Sequence, residues 1–209
     1  MPPKKTSTKT AYHHGNLREE LVTQGLAILE SEGMAALSLR EIARRLEVSA
    51  TAPLHHFESK IALLAAIAAQ GFRMLFEQRM AALKDQREPR DRLMAVLLAY
   101  VAFARDHPAL FQLMHGPEIP DKALFPELNE AAIRSYSLLE SAVADYQLAH
   151  DGSMDRRREA TLAAWTACYG LAQIMTSPQN TPRYVLRKDP EGSARAIFEI
   201  FIRGLGHPG

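Results

Sequence analysis

The chain has 209 residues, of which 47% are hydrophobic and 23% charged, and its formal net charge is +1. Such a chain is long and apolar enough to bury a core, which excludes an intrinsically disordered protein. The near-neutral charge excludes a polycation, so any nucleic-acid footprint must be local. The single cysteine, Cys168, excludes an internal disulfide and is typical of a reducing compartment.

The N-terminal stretch MPPKKTSTKTA is polar and basic and predicts a disordered arm over residues 1–11. Two interpretations of this arm stay open: a solvated tail, or an arm that contacts the DNA backbone or minor groove. No signal peptide and no run of transmembrane length is found, so we expect a cytoplasmic protein without a membrane partner. A first helix is predicted from about Asn16 to Glu32, with Gly33 ending it.

The segment from Ser38 to Lys60, SLREIARRLEVSATAPLHHFESK, predicts a helix-turn-helix followed by the start of a third helix. Ser38 and Glu41 form a capping-box pattern, in which the hydroxyl accepts from the N–H of Glu41 and the carboxylate returns to the N–H of Ser38. A second short helix is expected from Ser49, as its N-cap, through about His56. Two helices joined by so short a turn cross steeply, which presents the second helix outward.

The second helix and the cations around it have the residue types that a DNA-reading unit needs. The major groove admits one helix, whose N-terminal residues contact bases while cations beside it contact phosphates. The residues predicted to contact bases are Ser49, Ala50, Thr51 and His55, those predicted to contact phosphates are Arg40, Arg44, Arg45 and Lys60, and Ser38, Leu54 and His56 complete the predicted DNA-binding set.

Together with the upstream stretch YHHGNLREELVTQGLAILESEGMAALSLREIARRL, this segment resembles the DNA-binding domain of the TetR family of transcriptional regulators. The capping pattern, the turn, Phe57, Ser59 and Lys60 fall in the family's register. The resemblance implies a DNA-binding domain at residues 12–60 and a helical regulatory and dimerisation domain at residues 61–209. It also implies a homodimer on palindromic double-stranded DNA, usually a repressor that a small-molecule inducer releases.

Two positions depart from the family pattern. Glu47 stands where the family usually has glycine in the inter-helix turn, and a left-handed residue there costs roughly 1 kcal/mol, so we expect a differently shaped turn. Leu54 stands where the family usually has a tyrosine whose hydroxyl reaches a phosphate, and leucine has no hydrogen bond to donate. Pro53 before it removes an early N–H from the second helix.

Beyond Ser59, which is expected to cap the next helix, the pattern predicts only helices. An apolar stripe from Ile61 to Leu83 that includes Met80 predicts a long connecting helix. Pro89 opens the next helix, and Pro108 breaks the chain within DHPALFQLMHG. Further helices are predicted from Leu124 or Pro126 to about His150, from about Asp155 to Thr176, and from Asp189 and Pro190 onward. Sustained period-two alternation is lacking, so we predict an all-α fold.

In the second domain, the resemblance implies an inducer pocket and a dimer interface. The stretch AWTACYGLAQIM is similar to the Trp, His, Gly pattern of one subgroup's C-terminal domain, with tyrosine in place of histidine. Each predicted residue also has an alternative interpretation as part of the ordinary core. The candidate pocket residues are Tyr100, Phe103, His107, Phe111, Met114, Trp165, Tyr169 and Gln173, and the candidate interface residues are Gly170, Leu171, Ile174, Ile197, Phe198 and Phe201.

Other classes of function fit the sequence less well. Cys168 has no activating histidine at a known spacing, and nucleophile elbows and phosphate loops are missing, so we do not expect an enzyme. The pairs His13–His14 and His55–His56 lack ligand spacing, so we expect neither a metal site nor a cofactor. The alternative that stays open is a helical protein-interaction module whose basic helices bind an acidic partner.

Overall fold

The computed structural model describes residues 17–150, 156–176 and 189–205, and every regular element in these ranges is a helix, as predicted. The predicted arm and the pair His13–His14 lie outside the described residues. The helices are α1 (Leu17–Glu32), α2 (Leu39–Arg45), a 3₁₀ helix (Ala52–His55), α3 (Lys60–Leu83), α4 (Pro89–Asp106), α5 (Pro108–His115), a 3₁₀ helix (Lys122–Leu124), α6 (Pro126–His150), α7 (Arg157–Thr176) and α8 (Pro190–Leu205).

Helix α1 ends where the sequence predicts. The backbone of Gly33 has a φ of 81°, and its N–H bonds to the carbonyl of Leu29 at 3.1 Å. This left-handed conformation is one that glycine adopts without a Cβ penalty, so Gly33 terminates the helix. Leu21 and Ile28 on the inner face of α1 are fully buried.

Helix α3 runs for 24 residues along the middle of the molecule and packs against α1, α4, α5 and α6. The hydroxyl of Ser59 accepts from the N–H of Ala62 at 3.2 Å, which confirms the predicted cap. The predicted stripe is wrong at Ile61, which is 41% exposed, and at Met80, which is 45% exposed. Its neighbour Arg79 is 2% exposed instead, because steps of four residues from Leu75 place position 79 on the buried face.

The chain bends sharply at Pro108, because α4 cannot continue through a proline ring. Helices α4 and α5 meet at 109°. Among the described residues no single helix is long and apolar enough to cross a membrane, and these two satisfy that test only as a bent pair. Helix α5 lies close against α3 at Gly71, where an added Cβ would be 2.6 Å from the sulfur of Met114.

Helices α6, α7 and α8 complete the C-terminal part. Helix α7 packs against α4 and α6, and α8 packs against α4 and α7. The hydroxyl of Tyr146 on α6 donates to the carbonyl of Ile202 on α8 at 2.9 Å, inside the core. The outer surfaces of α7 and α8 keep large exposed apolar side chains, namely Leu162, Ile174, Ile197 and Ile200.

Candidate functional site

Helix α2 begins with half of the predicted capping box. The N–H of Glu41 donates to the hydroxyl of Ser38 at 3.1 Å, as predicted. The carboxylate of Glu41 does not return to Ser38, which corrects the second half of that prediction. It accepts instead from Arg44 Nε and Nη2 at 2.9 and 2.7 Å, and from Arg45 Nε at 2.7 Å.

These contacts form because residues three and four positions apart share one helix face. The hydrogen bonds from Arg44 and Arg45 lower the pKa of Glu41 from 4.5 to about 2. Arg45 also pairs with Glu32 of α1 at 2.7 Å. Two of the four cations predicted to contact phosphates are therefore already paired with carboxylates of this chain.

The turn after α2 has the shape that a glycine would give. Glu47 has a φ of 55°, its N–H bonds to the carbonyl of Arg44 at 3.3 Å, and the N–H of Val48 bonds to the carbonyl of Ala43 at 3.0 Å. These two bonds define a Schellman motif with a left-handed residue at its C′ position. The expectation of a differently shaped turn is therefore wrong, since Glu47 adopts the strained conformation.

The second element of the helix-turn-helix is a short 3₁₀ helix, and the predicted N-cap at Ser49 is wrong. The N–H of Ala52 bonds to the carbonyl of Ser49, and that of Leu54 to the carbonyl of Thr51, both at 3.0 Å. An α-helix would need an N–H at position 53 to reach Ser49, and Pro53 has none. Bonds three residues apart replace the α-helical ones, and the element begins at Ala52, after Thr51.

This element presents its polar end to solvent. Pro53 is buried, and Phe57 is 3% exposed and anchors the element as predicted. Arg40 and Lys60 flank it, and neither forms an ion pair with the described part of the chain. The predicted DNA-binding residues that are exposed are Arg40, Arg44, Ser49, Ala50, Thr51, Leu54, His55, His56 and Lys60, while Ser38 and Arg45 are half-buried.

The eight predicted pocket residues do not converge on one cavity. Phe103, Phe111 and Met114 are fully buried core residues. His107 lies near the surface, where its Nδ1 is 2.9 Å from Oε1 of Glu30 on α1. Gln173 donates to the hydroxyl of Tyr169 at 2.7 Å, beside the cavity described next.

A cavity of about 300 Å³ lies between α3, α4, α5, α6 and α7. Two predicted residues, Tyr100 and Trp165, line it. The Trp165 ring stacks on that of Tyr169, with centroids 5.4 Å apart, as the four-residue spacing predicts. The other lining residues are Phe72, Leu75, Arg79, His115, Ala132, Ile133, Ser135, Tyr136 and Leu139.

Among the polar side chains that line this cavity, Arg79 and Tyr100 are buried, His115 is half-buried and Tyr136 is exposed. The Tyr100 hydroxyl is 3.1 Å from Nε2 of His115. Burial, together with the charges of Lys122 and Arg79, lowers the pKa of His115 to about 3, so its ring is neutral near pH 7. Burial also raises the pKa of Tyr100. The cavity thus contains a neutral histidine, the two phenols of Tyr100 and Tyr136, and one cation, Arg79.

Arg79 is the site residue that the sequence analysis missed. Its Nη1 donates to the carbonyl of Ser135 at 3.0 Å, and its Cζ lies 5.0 Å from the centroid of the Tyr100 ring. Its Nε and Nη2 have no hydrogen-bond partner among the described residues. A lone arginine four residues from Leu75 and Leu83, both buried, was the available signal.

A wider hollow of about 640 Å³ lies between α3, α4, α7 and the start of α8. None of the predicted pocket residues lines it, and its rim is formed by charged residues such as Arg105 and Glu191, which pair at 2.9 Å. The smaller cavity, which is lined by aromatic rings and holds the buried cation, is the better candidate for a ligand site.

Cys168 does not have the surroundings of a nucleophile. It is fully buried, and burial raises the pKa of its thiol to about 11. The thiolate is the reactive form, so this thiol is inert near neutral pH.

The candidate interface residues divide between two environments. Leu171 and Phe198 are 6% and 0% exposed and pack in this chain's own core, so they are not on its surface. Ile174 and Ile197 are 40% and 39% exposed, and Phe201 is half-buried. Gly170 has open space where a Cβ would be.

Comparisons with known proteins bear on both ends of the chain. Residues 21–67 match a family model described as bacterial regulatory proteins of the tetR family, and residues 93–200 match one described as a tetracyclin repressor-like C-terminal domain. No curated protein matches the chain by sequence.

Solved structures resemble the whole described fold. A protein of unknown function from Rhodococcus sp. RHA1 is 32% identical with a TM-score of 0.76, and the match covers 95% of this chain and 100% of that one. A regulatory protein of the tetR family from Rhodococcus RHA1 is 21% identical, with a TM-score of 0.65 and coverage of 92% and 98%. BioQ, solved with its double-stranded DNA operator, is 19% identical, with a TM-score of 0.60 and coverage of 91% and 98%.

Proposed function

Because the chain belongs to the TetR family of transcriptional regulators, we propose that it binds a palindromic operator as a homodimer and leaves it when a small molecule binds. In this proposal residues 12–60 read DNA, and residues 61–209 dimerise and bind the ligand. The protein acts in the cytoplasm as a repressor. The subgroup suggested by the Trp165–Gly170 stretch stays a prediction.

The observation that carries this proposal is the exposed end of the helix-turn-helix. Thr51 and His55 are exposed on a unit that Pro53 and Phe57 anchor, and in this proposal they contact base edges. Arg40 and Lys60 flank them as exposed cations for phosphates. BioQ, a structural neighbour, is solved on its operator, which supports the same docking for this chain.

Dimerisation is proposed through the outer faces of α7 and α8. A single short recognition element makes too small an interface for stable specific binding, so two must act together. Ile174, Ile197 and Ile200 are between 39% and 74% exposed, and a second copy of these helices would cover them. Gly170, with open space beside it, lets the second backbone approach closely.

An aspartate at Ile200 tests this interface. We expect Ile200→Asp to convert dimers to monomers in sedimentation velocity, because it places a charge in an apolar contact. Leu148→Asp on α6 is the matched control, since Leu148 is also an exposed apolar residue, at 59%. Equal behaviour of the two variants would place the interface elsewhere.

Ligand binding is proposed to act by population shift. The cavity touches α3, α4, α5, α6 and α7, so an occupied cavity favours those helix arrangements that accommodate the ligand. The two recognition elements of a dimer must lie one helical turn of DNA apart, about 34 Å, to enter successive major grooves. If the ligand-bound arrangements change this distance, operator affinity falls.

Selection of bound sequences from a random duplex pool at near-physiological salt tests the DNA-binding proposal. We expect a palindrome with half-sites about one helical turn apart. Thr51→Ala should relax the preference at one position of each half-site, whereas Lys60→Ala should weaken all duplexes about equally. A uniform loss in both variants, without any enriched palindrome, would favour the protein-interaction module.

A further inference from the structure

Arg79 is a buried charged residue, and burying a charge without a counter-charge is unfavourable for stability. Its side chain is 2% exposed, and burial lowers the pKa of its guanidinium. A buried cation is normally balanced by a carboxylate. Among the described residues, Nη1 is the one nitrogen of the Arg79 guanidinium that forms hydrogen bonds, and both are to Ser135. The charge therefore has no anionic hydrogen-bond partner in the described part of the chain.

The unpartnered atoms lie together. Nε–H and Nη2–H occupy the same edge of the guanidinium plane and point in parallel, the geometry that matches the two oxygens of a carboxylate. The opposite nitrogen, Nη1, is held by the carbonyl of Ser135 at 3.0 Å, and the Tyr100 ring lies 5.0 Å from Cζ. These two contacts fix the orientation of the plane, so the free edge is preorganised.

The rest of the cavity favours an apolar body. Phe72, Leu75, Leu139 and Trp165 supply aromatic and aliphatic surface around the guanidinium. The neutral ring of His115 is turned toward the Tyr100 hydroxyl and adds no second charge. A phosphate dianion would need more donors than one guanidinium edge offers, whereas a single carboxylate is matched by it.

We infer that this cavity binds an apolar monocarboxylate whose two oxygens accept from the Nε and Nη2 of Arg79. The inference rests on the proposed function, since it names the chemical class of the small molecule that regulates the protein. The bound carboxylate supplies the missing counter-charge, and the hydrocarbon part fills the space of about 300 Å³. Ile133 and Tyr136, which are 57% and 39% exposed, flank the opening on α6.

Trp165 gives a direct measurement, because it lines the cavity and is the only tryptophan of the chain. The full-length protein is titrated with octanoate and 4-phenylbutanoate, and with the primary amide of each, while Trp165 fluorescence is recorded. We expect saturable changes with the carboxylates and binding at least about 30-fold weaker with the amides, since an amide leaves the buried charge unpaired.

Three variants separate binding from folding. Arg79→Met should lose at least about 30-fold in carboxylate affinity while retaining the circular dichroism spectrum of the wild type. Arg79→Lys keeps the charge but not the paired donors, so its carboxylate affinity should lie between those of the wild type and Arg79→Met. Arg134→Met is the matched control, because Arg134 lies over the Phe76 ring at 4.3 Å on the exposed surface, outside the cavity. It should bind the carboxylates like the wild type.

Equal binding of acids and amides, unchanged binding in folded Arg79→Met, or no response to any of the compounds would each overturn the inference. The duplex selection described above is independent of these titrations. An enriched palindrome together with failed titrations would overturn only the ligand class, whereas successful titrations without an enriched palindrome would overturn the proposed function.

Discussion

Replacing Glu47 with glycine should stabilise the DNA-binding part of the protein. Glu47 is held at a φ of 55° by the two Schellman bonds, and an L-residue pays about 1–2 kcal/mol in that conformation. Glycine removes this strain but gives the unfolded chain more freedom, which offsets roughly 0.5–1 kcal/mol. The side chain of Glu47 is exposed and makes no hydrogen bond or ion pair with the described residues, so its deletion removes no contact there.

The expected net gain is therefore about 0.5–1 kcal/mol in the free energy of unfolding, or a rise of about 1–4 °C in melting temperature for a chain of this size. The measurement is urea unfolding at a fixed protomer concentration, because dimerisation makes apparent stability depend on concentration. Glu47→Ala is the control, since it removes the carboxylate and retains the Cβ. If alanine stabilised as much as glycine, charge rather than backbone conformation would be the cause, and the reasoning would be refuted.

Three further variants have expected outcomes. Leu54→Tyr should raise affinity for every duplex and steepen the salt dependence by about one phosphate contact in titrations at several salt concentrations, whereas no change would mean that position 54 faces no phosphate. Glu41→Gln should release Arg44 for a phosphate and steepen the same dependence by about one contact, because Arg45 keeps Glu32 as a partner, and an unchanged salt dependence would contradict this. The pKa of Glu41 is lowered from 4.5 to about 2, so its contribution to stability is complete above pH 4.5 and lost as the pH falls to about 2. In acid unfolding, the stabilities of the wild type and Glu41→Gln should therefore converge near pH 2. Arg79→Met should stabilise the ligand-free protein by about 1–3 kcal/mol in urea unfolding, since two nitrogens without hydrogen-bond partners and a buried charge are removed. A loss of stability would contradict the idea of an uncompensated cation.

The helical fold and the cap at Ser59 could be predicted from sequence because each depends on residues within one or two turns. The same local rules failed where two of them competed. Ser49 has the right chemistry for an N-cap, but the missing N–H of Pro53 four residues later decides the type of helix. At Glu41 the capping pattern competed with Arg44 and Arg45 on the same face, and the charged pairs formed instead.

The candidate ligand site was harder to predict, because a cavity is made by several helices at once. Aromatic and methionine side chains suggested the pocket, yet Phe103, Phe111 and Met114 fill the core completely. Arg79 was overlooked because a charged residue within a helix is usually solvated. Its burial depends on Ser135, which is 56 positions away along the chain and whose contact with it no local pattern contains.

Helix α5 connects the DNA-binding part of the molecule to the cavity in the C-terminal part. Its last residue, His115, lies at the cavity, while His107, just before its first residue, is 2.9 Å from Glu30 on α1. Next to the cavity end, Met114 of α5 lies close against Gly71 of α3. A ligand that shifted the cavity end of α5 would therefore act on α1 through this one helix, whose eight residues span about 12 Å. A side chain at position 71 would collide with Met114 and push α5 away from α3, which would disturb this connection.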